Sequence, residues 1–271
     1  MTTTPRPRRL LTRRQRTRAI RVAQYALLCV AAVVFALLAD WERIREAFFD
    51  TAIIGELFPE LLTTALKNTV LYTLCAFVFG FFLGLVVALM RLSPVAPYRL
   101  LATLYVEFFR GVPALLVLIA FGYGIPVALN TEVPGGVLGT ITVALGLVAA
   151  AYMAETFRAG IQAVPKGQME AARSLGMSHG RAMVSIIIPQ AFRIILPPLT
   201  NELILLTKDS SLVYLLGVTL PTRELAKFGR DALNQHVSMT PILVAGLAYL
   251  IITVPLGILV RRLEARQARA R

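Results

Sequence analysis

Asn68-Thr-Val-Leu-Tyr-Thr-Leu-Cys-Ala-Phe-Val-Phe-Gly-Phe-Phe-Leu-Gly-Leu-Val-Val-Ala-Leu-Met90 runs for 23 residues without one Asp, Glu, Lys or Arg. Crossing about 30 Å of hydrocarbon takes about 20 apolar residues at a helical rise of about 1.5 Å, so this stretch reads as a transmembrane helix. Residues 22–39, 111–131, 133–154 and 232–260 are equally free of charge. A sixth apolar region, 186–218, is interrupted by Arg193, Glu202, Lys208 and Asp209. With 57% hydrophobic and 16% charged residues and a mean hydropathy of +0.70, the 271-residue chain carries more apolar surface than a soluble domain can bury. The expected fold is an all-α integral membrane protein of about six spans, near 22–39, 61–90, 100–130, 135–156, 189–218 and 239–260.

The net charge of +13 is concentrated at the ends. Arg6, Arg8, Arg9, Arg13, Arg14, Arg16, Arg18 and Arg21 precede the first span without one acid, and Arg261, Arg262, Arg266, Arg269 and Arg271 follow the last. Short basic flanks fix membrane orientation, so both termini are expected in the cytoplasm, and the charge is no sign of nucleic acid. Residues 40–60 hold six acids against two arginines and suit an external loop, as does 219–238, while 157–188 is the longest internal connection. The tail is expected to be unstructured up to about Thr17. The first span reads as a retained signal anchor, being long and without an A-x-A cleavage site. Cys29 and Cys75 sit in different spans and suggest neither a disulfide nor a metal site, and His179 and His236 have no metal-ligand spacing. Gly80 and Gly84 form a small-xxx-small pair that permits close helix approach in lipid.

The internal connection contains Gln168-Met-Glu-Ala-Ala-Arg-Ser-Leu-Gly-Met-Ser-His-Gly-Arg-Ala-Met183 and then Val-Ser-Ile-Ile-Ile-Pro189. Good helix formers over 165–175 predict a short helix, with Glu170 near its positive end and Gly176 as a left-handed cap. Ala171, Ala172 and Leu175 are expected to share a small apolar face that could lie in a groove of another protein. The order Glu170-Ala171-Ala172, three residues, Gly176, nine residues, Ile186, one residue, Ile188-Pro189 resembles the signature of binding-protein-dependent ABC importer permeases. That family usually has leucine at the position of Ile188. Residues 64–73, Glu107-Phe-Phe-Arg-Gly-Val-Pro113, Tyr152-Met-Ala-Glu-Thr-Phe-Arg-Ala-Gly-Ile161, Asn201-Glu202 and Lys208-Asp-Ser-Ser211 look like its polar amino-acid subgroup, the one that includes histidine, glutamate, glutamine, arginine and opine permeases.

The resemblance covers 61–263 and implies a five-helix type I importer core there. Around it lie a basic tail at 1–21, an extra first helix with its loop at 22–60, and a basic tail at 264–271. It further implies a multi-pass protein of the bacterial inner membrane that dimerises with itself or a similar chain. Each half would seat its coupling helix, carried by Glu170, Ala171, Ala172, Leu175, Gly176 and Pro189, in a cytoplasmic ATPase subunit. That subunit holds ATP and Mg; an extracytoplasmic binding protein delivers the amino acid; no cofactor belongs to this chain. The sequence has no G-x-x-x-x-G-K-[ST] phosphate loop, so energy from ATP has to arrive through a protein contact.

A charge at the bilayer centre costs about 2.5 to 3.5 kcal/mol on insertion scales, so those in the fifth span are functional candidates. Lys208 and Asp209 fall near the midplane, where transporters place substrate. Asn201, Lys208 and Ser211 share one helical stripe, and Glu202 and Asp209 an adjacent one. Together with Ser210 these residues could line a substrate pathway, or Lys208 and Asp209 could simply pair. Pro197 and Pro198 are expected to break this helix. Glu107 with Arg110, and Glu155 with Arg158, stand three apart and suit ion pairs on one face, either structural or gating. A lysine beside an aspartate fits glutamate, glutamine or another polar amino acid, with glutamate favoured. An ion-gradient-driven carrier is the alternative, and it leaves the 170–189 spacing unexplained. The chain lacks H-E-x-x-H and G-x-S-x-G, so an intramembrane enzyme is not expected.

Overall fold

The computed structural model describes residues 13–269, so Arg6, Arg8, Arg9 and Arg271 lie outside the described region. Two compact units divide the chain, 1–49 and 50–271. Within the described residues five helices are long and apolar enough to cross a membrane, or six if one bent pair counts as a span.

The first unit holds α1 (Arg13–Leu38) and α2 (Trp41–Phe48). Helix α1 begins ahead of Thr17 and displays Leu27, Phe35 and Leu37 on its surface, a composition that lipid accommodates. Asp40 caps α2 by accepting from the Arg43 backbone N–H at 3.1 Å. Trp41 donates Nε1 to the Ala36 carbonyl at 2.7 Å and stands edge-on to Phe35.

The second unit opens with α3 (Thr51–Glu60), capped by the Asp50 carboxylate, which accepts from Ala52 N–H and Ile53 N–H at 2.9 and 3.3 Å. Residues 40–60 are therefore two capped helices and not a loop. The acids that looked like loop polarity include the two N-caps, where a carboxylate satisfies otherwise orphaned N–H groups. Helix α3 passes through a π-helical turn, Leu61–Leu66, into α4 (Lys67–Leu92). The turn follows Pro59, whose ring removes one donor from the ladder.

Helix α4 packs along α8 (Gly136–Gln162), the most buried span. Its inner face carries Thr69, Tyr72, Thr73, Ala76, Gly80, Gly84, Val87 and Ala88 at helical spacing. A Cβ on Gly80 would stand 3.0 Å from the Ala149 Cβ, and one on Gly84 would stand 2.9 Å from the Ala150 carbonyl oxygen. The small-xxx-small pair is thus the contact line of these two helices.

Residues 100–130, expected as one span, are two arms. Helix α5 (Ala96–Gly111) stops, and α6 (Ala114–Ile119), a π-helical turn and α7 (Ile125–Leu129) continue after a bend of 101°. Pro113 explains the break. It cannot donate to the ladder and pushes the preceding residue out of the helical region, and Val112 sits at φ −94°, ψ 131°.

Past α8 come α9 (Lys166–Ser174), α10 (His179–Ala182), a π-helical turn and α11 (Ile188–Asp209). Pro197 and Pro198 do not break α11, which continues through both. Pro197 leaves the Arg193 carbonyl without its ladder donor, and Gln267 Nε2 donates to that oxygen instead, one of the ways a membrane helix tolerates proline. The α ladder ends at Asp209, and Ser210–Leu216 form a 3-10 helix.

Residues 219–238, expected as an external loop, contain α12 (Leu225–His236), packed on α13 (Thr240–Arg269). Its entry is tied to α4: Asn68 Nδ2 donates to the Pro221 and Arg223 carbonyls, and Tyr72 donates its hydroxyl to the Thr222 carbonyl at 2.7 Å. Arg223, which made the segment look cationic, is buried, paired with Glu60 and Asp231, and lies 4.7 Å from the Phe228 ring centroid. Glu224 is fully buried as the α12 cap, accepting from Ala226 N–H, Lys227 N–H and the Tyr249 hydroxyl. Burial pushes its carboxyl up to about 7 against the pull of those bonds and of Lys227. A folded-state value above the ordinary 4.5 means that Glu224's contribution to stability is complete below about pH 4.5 and lost as pH rises through about 7. The purified protein should melt at progressively lower temperature across that window, and Glu224→Gln should flatten the slope. A wild-type profile that rises with pH there would contradict this account.

Candidate functional site

Two features flank α11: an exposed helix ahead of its start and a pair of adjoining cavities along its length. The first is α9. Gly176 ends it at φ +83°, with Gly176 N–H donating to the Arg173 carbonyl and Met177 N–H to the Ala172 carbonyl, a left-handed Schellman-type cap. Ala172 is 2% exposed and faces the bundle with half-buried Met169, whereas Leu175 is 83% exposed, and Glu170 and Ala171 are exposed too. The expected shared face of Ala171, Ala172 and Leu175 is therefore split. Residues one apart on a helix diverge by about 100°, and the bundle claims Ala172. The outward face is Glu170-Ala171 with Ser174-Leu175 one turn later. Glu170 also lies beyond the first turn of α9, which contains no acid, so dipole stabilisation does not account for it. Pro189 occupies the first turn of α11, where a missing N–H costs nothing.

The cavities lie between α5, α8 and α11. One, of about 430 Å³, is lined by the break at Gly111, Val112 and Pro113 and by Arg110, Tyr152, Glu202 and Asp209. The other, of about 490 Å³, adds Glu155, Asn201 and Pro198 and shares Arg110, Tyr152, Glu202 and Leu205 with the first. Arg110 rests its guanidinium 5.5 Å from the Tyr152 ring centroid. At the far end, Glu155 pairs with both Arg158 and Arg91.

Sequence spacing thus places Asn201, Glu202 and Asp209 on this wall, while Lys208, Ser210 and Ser211 line neither cavity. Lys208 is exposed on another side of α11, and among the described residues it makes no ion pair with Asp209 within 4.0 Å. Ser210 is buried and donates to the Thr207 carbonyl; Ser211 leaves the expected stripe because the 3-10 turn changes the helical period. Glu155–Arg158 forms as expected, but Glu107 does not take Arg110. It lies 3.9 Å from Arg91, and Arg110 turns to Tyr152. The sequence reading missed Arg91, which lies far along the chain from both acids, and Tyr152, whose ring looks like core. It also missed the wall at 111–113, although a proline after Gly-Val was a visible mark of a helix boundary. Among the described residues no group of three or more His, Cys, Asp or Glu side chains could hold a metal ion.

Residues 76–269 match the model of the binding-protein-dependent transport system inner membrane component. The chain belongs to that family. This permease is accordingly a multi-pass inner-membrane translocation component of an ABC transport system. It is 41% identical over 199 residues to the probable glutamine ABC transporter permease protein GlnM of Bacillus subtilis, covering 73% of this chain and 89% of that one. It is 38% identical over 226 residues to the glutamate/aspartate import permease protein GltK of Escherichia coli O157:H7, covering 81% and 99%. Among solved structures, an amino acid ABC transporter crystallised with histidines superposes with a TM-score of 0.72 at 33% identity, over 80% of the permease and 98% of that chain.

Proposed function

We propose that this permease is the translocation subunit of an importer that moves a polar amino acid into the cytoplasm. A separate ATPase that binds ATP and Mg powers it, an extracytoplasmic binding protein feeds it, and a second copy or a similar permease completes the pathway. The observation that carries this reading is mechanical. Gln190, on the first turn of α11, donates Nε2 to Gln168 on α9 at 3.2 Å and to the Ile186 carbonyl, so the exposed helix is fastened to the rod that lines the cavities. A tilt imposed on α9 would move Asn201, Glu202 and Asp209 with it. An ion-gradient carrier has no use for such a part.

With both termini cytoplasmic, α9 also faces the cytoplasm, where an ATPase can reach it. The test is reconstitution of permease, ATPase and binding protein in liposomes, measuring uptake of each amino acid with and without ATP. Uptake that requires ATP and the ATPase supports the reading; concentrative uptake by the permease alone sinks it. In the same assay Asp209→Asn should lower uptake per transporter molecule. A change confined to expression would show that Asp209 only supports the fold.

A further inference from the structure

Resting on the reading that the adjoining cavities hold the cargo, we infer that the cargo is a cationic amino acid, selected by Glu202. The cavity walls carry one cation, Arg110, and three acids, Glu155, Glu202 and Asp209. Glu155 is committed, since Arg91 and Arg158 both pair with it. That leaves Glu202 and Asp209 against Arg110 on the wall of the first cavity. An amino acid in this space has its α-carboxylate met by Arg110 and its α-ammonium by one of the two acids. The second acid then faces the side chain. A guanidinium, ammonium or imidazolium there completes the charge balance, a neutral amide can only donate hydrogen bonds, and a carboxylate is repelled with no second cation to receive it. Lys208, whose charge made glutamate attractive on sequence grounds, lines neither cavity.

Glu202 is the better candidate for the side-chain contact because it lines both cavities, whereas Asp209 lines only one. Residues 202 and 209 are two helical turns apart, about 10 Å along α11, a span comparable to an extended arginine or lysine. One acid can therefore hold the α-ammonium while the other holds the distal cation.

Binding should be measured on the intact permease–ATPase complex in detergent without binding protein, so that only the permease discriminates, with L-arginine, L-glutamine and L-glutamate as probes. The expected order is arginine, then glutamine, then glutamate, with about tenfold or more between the first and the last. Glu202→Gln should weaken arginine by about tenfold while leaving glutamine within about twofold. Glutamate binding as tightly as arginine overturns the inference. So does a Glu202→Gln variant that weakens all three alike, since that marks a structural role. Absence of binding by all three in a complex whose liposomes still take up amino acid overturns it too, because the cavities are then not where cargo is held. Failure of the complete system to take up any amino acid with ATP is a different result, and it removes the transport reading itself.

Discussion

Gly176→Asp should reach the membrane in normal amounts and lose its ATPase. A Cβ at Gly176 meets nothing within 4 Å, so the substitution leaves the bundle core untouched. Its φ of +83° lies in the left-handed region, where a side chain costs roughly 1 to 2 kcal/mol. The added carboxylate also stands at the negative end of α9. Both effects loosen the cap in which Met177 N–H reaches the Ala172 carbonyl, and with it the orientation of Leu175 and Ala171 on the outward face. Co-purification of a tagged permease with the ATPase reads the outcome, and uptake should vanish with it. Gly176→Ala keeps the strain without the charge and should retain part of the association. Full association of the aspartate variant would show that α9 is not the docking element.

Gly84→Leu should prevent the folded bundle from forming. A Cβ there lies 2.9 Å from the Ala150 carbonyl oxygen and 3.0 Å from the Met153 Cβ, so the first added carbon already collides with backbone that cannot rotate away. Overpacking typically costs about 1 to 3 kcal/mol, and the rest of a leucine side chain puts this site at or above that range. Fluorescence-detected size exclusion should show aggregated or absent protein, with Gly84→Ala intermediate. Gly55→Leu is the control, because a Cβ at Gly55 meets nothing within 4 Å. A monodisperse Gly84→Leu variant with an unchanged melting temperature would mean that α4 and α8 do not need their close approach.

What was legible in the sequence was whatever depends on composition and local period. The uninterrupted run at 68–90 marked a membrane helix, Gly80 and Gly84 marked its contact line, and Gly176 marked a left-handed cap. What was not legible depends on partners distant in sequence. Nothing near Arg91 says that it meets Glu155, 64 residues on, and nothing near Arg223 says that Glu60 and Phe228 bury it. Charge counting misjudged residues 40–60 and 219–238 because it cannot tell an acid that solvates a loop from one that caps a helix, and Asp40, Asp50 and Glu224 are caps. Helical spacing placed Glu202 and Asp209 on one wall, but it could not show which side of α11 faces the cavities, and so it overrated Lys208.

The elbow between α5 and α6 makes main chain part of the vestibule. Each arm is 16 residues, about 24 Å, and is shorter than the hydrocarbon slab it enters. Gly111, Val112 and Pro113 thereby line the cavity of about 430 Å³, so the irregular backbone of the break borders a cavity inside the protein. Bend and cavity wall are thus one feature: straightening α5 into α6 would take the backbone side of that cavity away with the kink.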